Sequence, residues 1–169
     1  MIVIGIDPGL TGALAVLDHR GLQAVQDMPI MQRALALGVV KNQVNAAALT
    51  QLLKGWLHDH DKNEFLVVLE HQAPIRIKGK QPQGSSSVFS LGHTSGILEG
   101  VVVALGLSHQ EVTPAVWKKA LGLPGGAKNK AVVRARAQRL YPEAPLTRVM
   151  DHNRAEAIMI ARWGYEAFA

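Results

Sequence analysis

IVIGIDPGLTGALAVLD, residues 2–18, sets two short apolar runs on either side of a turn built from Pro-Gly and Thr-Gly. Residues 2–6 (IVIGI) and 13–17 (ALAVL) read as strands joined too tightly for a crossover. With 22–28 (LQAVQDM) as a third strand, they predict an antiparallel meander. The first run ends in a carboxylate, Asp7. An acid at the end of a buried strand carries a desolvation cost that a soluble core does not require.

The same pattern recurs at residues 65–70, FLVVLE, a fully apolar strand that ends in Glu70. In open α/β sheets the carboxyl ends of strands are where sites are built, so neighbouring strands would bring Asp7 and Glu70 together. Residues 44–57 carry apolar positions at helical spacing, with Asn45 as a cap. The polar, basic stretch 71–87 is too long for an ordinary connection. Residues 88–106 read as a helix whose Gly92, Gly96 and Gly100 share one face, 108–112 as a strand, and Thr113-Pro114 as the start of a further helix. Helices over 129–140 and from Asp151 to the end complete an α/β domain with a five-stranded mixed sheet, three antiparallel strands followed by parallel ones, flanked by helices.

Asp151 and Glu156, at the start of the last helix, bring the carboxylates to four, with Ala155 and Ala157 small enough to let Glu156 lie close to the sheet. Taken singly, each acid has a structural reading: Asp7 begins a turn, Glu70 is an exposed strand end, Asp151 is a helix cap and Glu156 lies on a solvated face. Taken together, two apolar strands that both end in an acid favour a site. Converging carboxylates repel, and a divalent cation with oxygen ligands is the natural compensation.

The 169 residues fit one domain spanning residues 1–169, long enough to bury about two-thirds of its unfolded surface. The absence of cysteine excludes a disulfide framework and thiolate metal sites, and fits a reducing, cytoplasmic setting. No basic leader and no apolar run of membrane-spanning length is evident, so the expectation is a soluble protein without membrane contact. Between His71 and Arg139 ten Lys and Arg residues face two acids, Glu99 and Glu111. Cations gathered in mid-chain, with the acids elsewhere, suit a protein that grips phosphates and cleaves them at a separate metal-binding cluster.

In chain order, IGIDPGLTGALAVLD, FLVVLEHQAP, SSSVFSLGHTSGILEGVVVALG, VTPAVWKKALGL and DHNRAEAIMIARWG resemble the RuvC-like Holliday junction resolvases of the RNase H-like superfamily, in their phage and prophage branch. IGIDPG alone also looks like the first phosphate loop of actin-like ATPases and sugar kinases, but that fold needs two such domains. The resemblance covers nearly the whole chain. It implies an RNase H-like fold and a Mg²⁺-dependent endonuclease, two ions per site with Mn²⁺ possible. It further implies resolution of four-way DNA junctions to 5′-phosphate and 3′-hydroxyl ends, and a homodimer in the cytoplasm of a bacterial or phage-infected cell.

By that resemblance Asp7 and Glu70 carry over directly as catalytic metal ligands, and Glu156 takes the position of the last acid. The residue three before it is Asn153, where the bacterial pattern has an aspartate. Asp151 is therefore taken as the fourth ligand, with His152 as the alternative. Arg76, Lys78 and Lys80 lie in the loop that family members use to probe the junction centre, although Ala73, Pro74 and Ile75 stand where the bacterial enzymes have an aromatic. Lys118, Lys119, Lys128, Lys130 and Arg134 are read as further phosphate contacts, the alternative for the lysines being solvated helix ends, which their position after the proposed dimer helix disfavours. The helix bearing Gly92, Gly96 and Gly100 resembles the family's dimer helix, the alternative being that this stripe lies on its own sheet. Trp117 and Trp163 read as core. Two rival functions remain: a nuclease that debranches flaps and forks, and an inactive DNA-binding relative, favoured by Asn153.

Overall fold

The computed structural model describes residues 1–34, 38–73, 84–125 and 129–169. Arg76, Lys78, Lys80 and Lys128 lie outside the described residues. The strands are β1 (Ile2–Asp7), β2 (Ala13–Asp18), β3 (Gly21–Asp27), β4 (Ile30–Ala34), β5 (Val40–Val44), β6 (Phe65–Glu70) and β7 (Ser108–Val112). The helices are α1 (Ala46–Leu57), α2 (Ser85–Ala104), α3 (Pro114–Ala120), α4 (Lys130–Leu140) and α5 (His152–Phe168). The five-stranded sheet has the order β3-β2-β1-β6-β7. Its first three strands pair antiparallel, and β1 to β6 and β6 to β7 pair parallel, which is the expected mixed sheet.

Alternation along the strands builds a core on each face. Ile2, Ile4 and Ile6 of β1 join Leu49 and Leu53 of α1 and Leu98 and Val102 of α2 on one face. Val3 of β1 and Val68 of β6 join Trp117 of α3, Val133 of α4 and the Ala155–Ala161 stretch of α5 on the other. α5 is tightly seated. A Cβ placed on Gly5 would collide with the backbone of Ala157 and Ala161, so glycine here permits a backbone-to-backbone approach of α5 to β1.

Two features depart from the sequence expectation. β4 and β5 form a separate two-stranded sheet between β3 and α1, in a stretch with no predicted element. Its strands, IMQRA and VKNQV, show no alternation of apolar and polar residues and are mostly exposed, so no apolar face announces them. Second, α2 begins at Ser85 and, at 20 residues, is long and apolar enough to cross a membrane by length and composition, against the expectation that no run would be. Its Thr94, Leu98 and Val102 are nevertheless buried within the domain.

Candidate active site

Asp7 and Glu70 meet because of strand register. Gly5 of β1 stands opposite Val68 of β6, and two residues further on both strands end in an acid on the face that carries α5. The seating of α5 on Gly5 brings Glu156, the neighbour of Ala157, to the same place. Asp7 and Glu156 are buried. Burial drives the Asp7 carboxyl well above the ordinary carboxylate range, and the charges of Glu156 and Glu70 push it further the same way. Lys130 and Lys118 oppose the shift without cancelling it.

Each of the other two acids has its own partner. Trp117, fully buried in the core as expected, donates its indole N–H to Oε2 of Glu70 at 2.7 Å. Burial raises the Glu70 carboxyl, the Trp117 hydrogen bond lowers it, and the net displacement is upward. Lys118 Nζ lies 2.7 Å from Oε1 of Glu156 and 4.9 Å from the centroid of the Trp117 ring. Sequence reasoning placed Trp117 in the core and Lys118 on phosphate; the structure shows that both also orient the acids. Both lie on α3, the short helix that directly follows β7, whose last residue Val112 stands opposite Glu70.

The loops around the acids are cross-tied. The Gln72 amide donates to the Pro8 carbonyl at 2.9 Å, which joins the segment after Glu70 to the turn after Asp7. The Asn153 amide donates to the carbonyl of Thr11, anchoring the first turn of α5 to the same turn. Beside Glu70, an open pocket of about 380 Å³ is lined by His71, Ala73, Leu91, Thr113 and Pro114.

Asp151 belongs to a different cluster. Its Oδ2 accepts from the Arg148 backbone N–H at 2.5 Å and its Oδ1 from Arg148 Nε at 2.8 Å. Arg148 and Arg154 both reach Asp27 at the end of β3, a network that pins the start of α5 to the sheet edge. Burial raises the Asp151 carboxyl, but the hydrogen bonds and charge of Arg148 outweigh it and hold it below its usual value. His152 Nδ1 faces the Val149 carbonyl at 3.3 Å. Of the four predicted acids, the structure therefore brings together Asp7, Glu70 and Glu156.

Of the predicted phosphate contacts, Lys118 and Lys130 lie close enough to act on the acids, Lys119 is exposed, and Arg134 donates to the Arg148 carbonyl at 2.8 Å. Gly92, Gly96 and Gly100 are exposed, and among the described residues nothing outside the adjoining stretch of their own helix lies within 4 Å of a Cβ built on any of them. The stripe thus faces away from its own sheet.

The donor set suits a hard divalent cation: three carboxylates, two of which, Asp7 and Glu70, are raised by burial and by the charge of Glu156. Among the described residues no three His, Asp or Glu side chains are already arranged to hold a metal ion. Glu156 is engaged by Lys118 and Glu70 by Trp117, so coordination requires at least the Lys118 pair to open.

No family model matches the sequence, and no curated protein sequence matches it. Solved structures do. Thermus thermophilus RuvC superposes with a TM-score of 0.55 at 18% identity, covering 99% of this chain and 96% of that one. T. thermophilus RuvC in complex with a Holliday junction substrate gives 0.57 at 15% identity, over 99% of this chain and 97% of that one. With its five-stranded mixed sheet and flanking helices, this chain has the RNase H-like fold of RuvC.

Proposed function

We propose that the protein is a metal-dependent endonuclease for branched DNA that resolves four-way junctions by paired, symmetric nicks. The observation that carries this reading is the state of Asp7. Burial first, and then the charges of Glu156 and Glu70, hold this carboxyl above its ordinary range at the end of a strand in a sheet with the RuvC fold, a cost to stability that a bound cation would offset. The RuvC structure bound to junction DNA supplies the substrate class.

Mg²⁺, or Mn²⁺ in its place, would be held by Asp7, Glu70 and Glu156. Such ions supply activation of water and neutralisation of charge on the leaving 3′ oxygen in phosphodiester hydrolysis, consistent with 5′-phosphate and 3′-hydroxyl products. Trp117 fixes one oxygen of Glu70 and so restricts the rotation of its carboxylate. Lys118 and Lys130 place positive charge beside the acids, where the scissile phosphate must enter. Asp151 is assigned to the Arg148 network and Asn153 to the Thr11 tie, which leaves three carboxylates for the metal.

Symmetric cleavage of two strands needs two sites related by a two-fold axis. The exposed stripe of Gly92, Gly96 and Gly100 on α2 supports a homodimer that brings backbones together there. The test is a nicking assay with Mg²⁺ on labelled four-way junctions, flaps and plain duplex, run beside Asp7→Asn. Paired symmetric cuts confined to the junction, and lost in the variant, are expected. Equal cutting of flaps and forks would replace the reading with a general debranching nuclease, and binding without cutting would replace it with an inactive DNA-binding protein.

A further inference from the structure

A second cluster suited to nucleic acid lies outside the acidic centre, in the cleft between the β4–β5 hairpin and the first half of α2. Arg33 and Lys41 are direct cross-strand partners, so their side chains share one face of the hairpin, and both line the cleft. Like charges placed opposite one another destabilise a hairpin. The described lining of the cleft contains no carboxylate to offset them.

Across the cleft, Ser86, Phe89, Ser90 and His93 follow one another at helical spacing on α2. Phe89 is 75% exposed. Its ring is held parallel to that of His93, with centroids 6.1 Å apart and 19° between the planes. One ring face is thus supported from within the helix.

The helix that walls this cleft also walls the pocket at Glu70. Leu91, midway between Phe89 and His93 in sequence, lines the pocket that contains Glu70. The hairpin leaves the sheet directly after β3, whose last residue, Asp27, ends on the same edge as Asp7.

We propose that this cleft is a DNA-strand subsite: Arg33 and Lys41 hold two backbone phosphates, and the open face of Phe89 stacks an unpaired base of the strand leaving the acidic centre. Two cations and an aromatic platform are the elements by which proteins hold single strands without reading sequence. The proposal rests on the branched-DNA reading above and adds to it where the strand goes.

The test is binding of a fluorescent four-way junction with flanking unpaired bases, without metal and over a series of salt concentrations. Native chain is compared with Arg33→Gln/Lys41→Gln and with Phe89→Ala, and mass is followed by light scattering. The double substitution is expected to lower affinity on the order of tenfold and to reduce the log K against log salt slope by about 2, one per released phosphate contact. Phe89→Ala is expected to lower affinity about tenfold with the slope unchanged, as loss of stacking requires. Mass stays the same in both.

Unaltered affinity in both variants, with native binding intact, overturns the subsite and leaves the junction reading standing. Loss of affinity together with a fall in mass also overturns it and assigns the face to a second copy of the chain. Failure of the native chain to bind any branched DNA overturns both.

Discussion

Lys118 and Glu156 form a buried ion pair, 2.7 Å between Nζ and Oε1, with only 12% and 10% of their side chains exposed. In that setting, removing one partner costs more than removing both, because it strands an uncompensated charge. Lys118→Met is expected to destabilise the protein by about 3 kcal/mol, and the double variant Lys118→Met/Glu156→Gln to recover most of the loss. Urea denaturation of the four members of the cycle measures it. Strict additivity would show that the pair is not coupled.

Asp7 opposes folding at neutral pH. In the unfolded chain it ionises near pH 4, whereas in the fold burial, Glu156 and Glu70 hold the proton to higher pH. Its contribution to stability is therefore full below the unfolded value and is lost as pH rises through the folded one. Asp7→Asn removes the charge, and is expected to stabilise the metal-free protein on the order of 1 kcal/mol, raising Tm by about 2–4 °C. Adding Mg²⁺ should raise the Tm of the native chain and leave that of the variant unchanged. A variant that melts below the native protein without metal would contradict this account.

Trp117 offsets part of the upward displacement of the Glu70 carboxyl. The indole hydrogen bond favours the ionised carboxylate, in opposition to burial, which is the larger effect. Trp117→Phe preserves most of the packing but deletes the donor. It is expected to move the acid limb of the pH–rate profile for nicking to higher pH, and to lower stability by about 1–2 kcal/mol. A profile that falls in height without moving along the pH axis would mean that Trp117 acts on packing alone.

The legibility of this chain followed burial. Strands such as IVIGI and FLVVLE, apolar on both faces, were evident because the sheet is covered by helices on both sides. The same runs pointed to Asp7 and Glu70, since an acid is conspicuous only where its neighbours are buried. The β4–β5 hairpin was hidden because it is mostly exposed and so writes no apolar period into the sequence. Glu156 was legible from its flanking alanines, and Gly5 supplies the reason that they matter. Asp151 was beyond local reading: its role depends on Arg148 and, through it, on Asp27, 121 residues away along the chain from Arg148. Trp117 and Lys118 likewise act on acids 47 and 38 residues distant, which no spacing rule connects.

Asp151→Asn separates the structural assignment of that residue from a role on the metal. Asp151 is held below its ordinary value by Arg148, so its contribution to stability is present above about pH 4 and is lost as pH falls through the folded value. At pH 7 the substitution leaves Arg148 with a weaker acceptor in a buried position and is expected to cost about 1–3 kcal/mol. The difference from the native protein should shrink as the pH is taken well below 4, where both side chains are neutral. The variant should still gain Tm on addition of Mg²⁺, because Asp7, Glu70 and Glu156 are untouched. Thermal melts at pH 7 with and without Mg²⁺, repeated at acid pH, measure both effects. Loss of the Mg²⁺ response with little change in metal-free stability would move Asp151 from the Arg148 network to the metal.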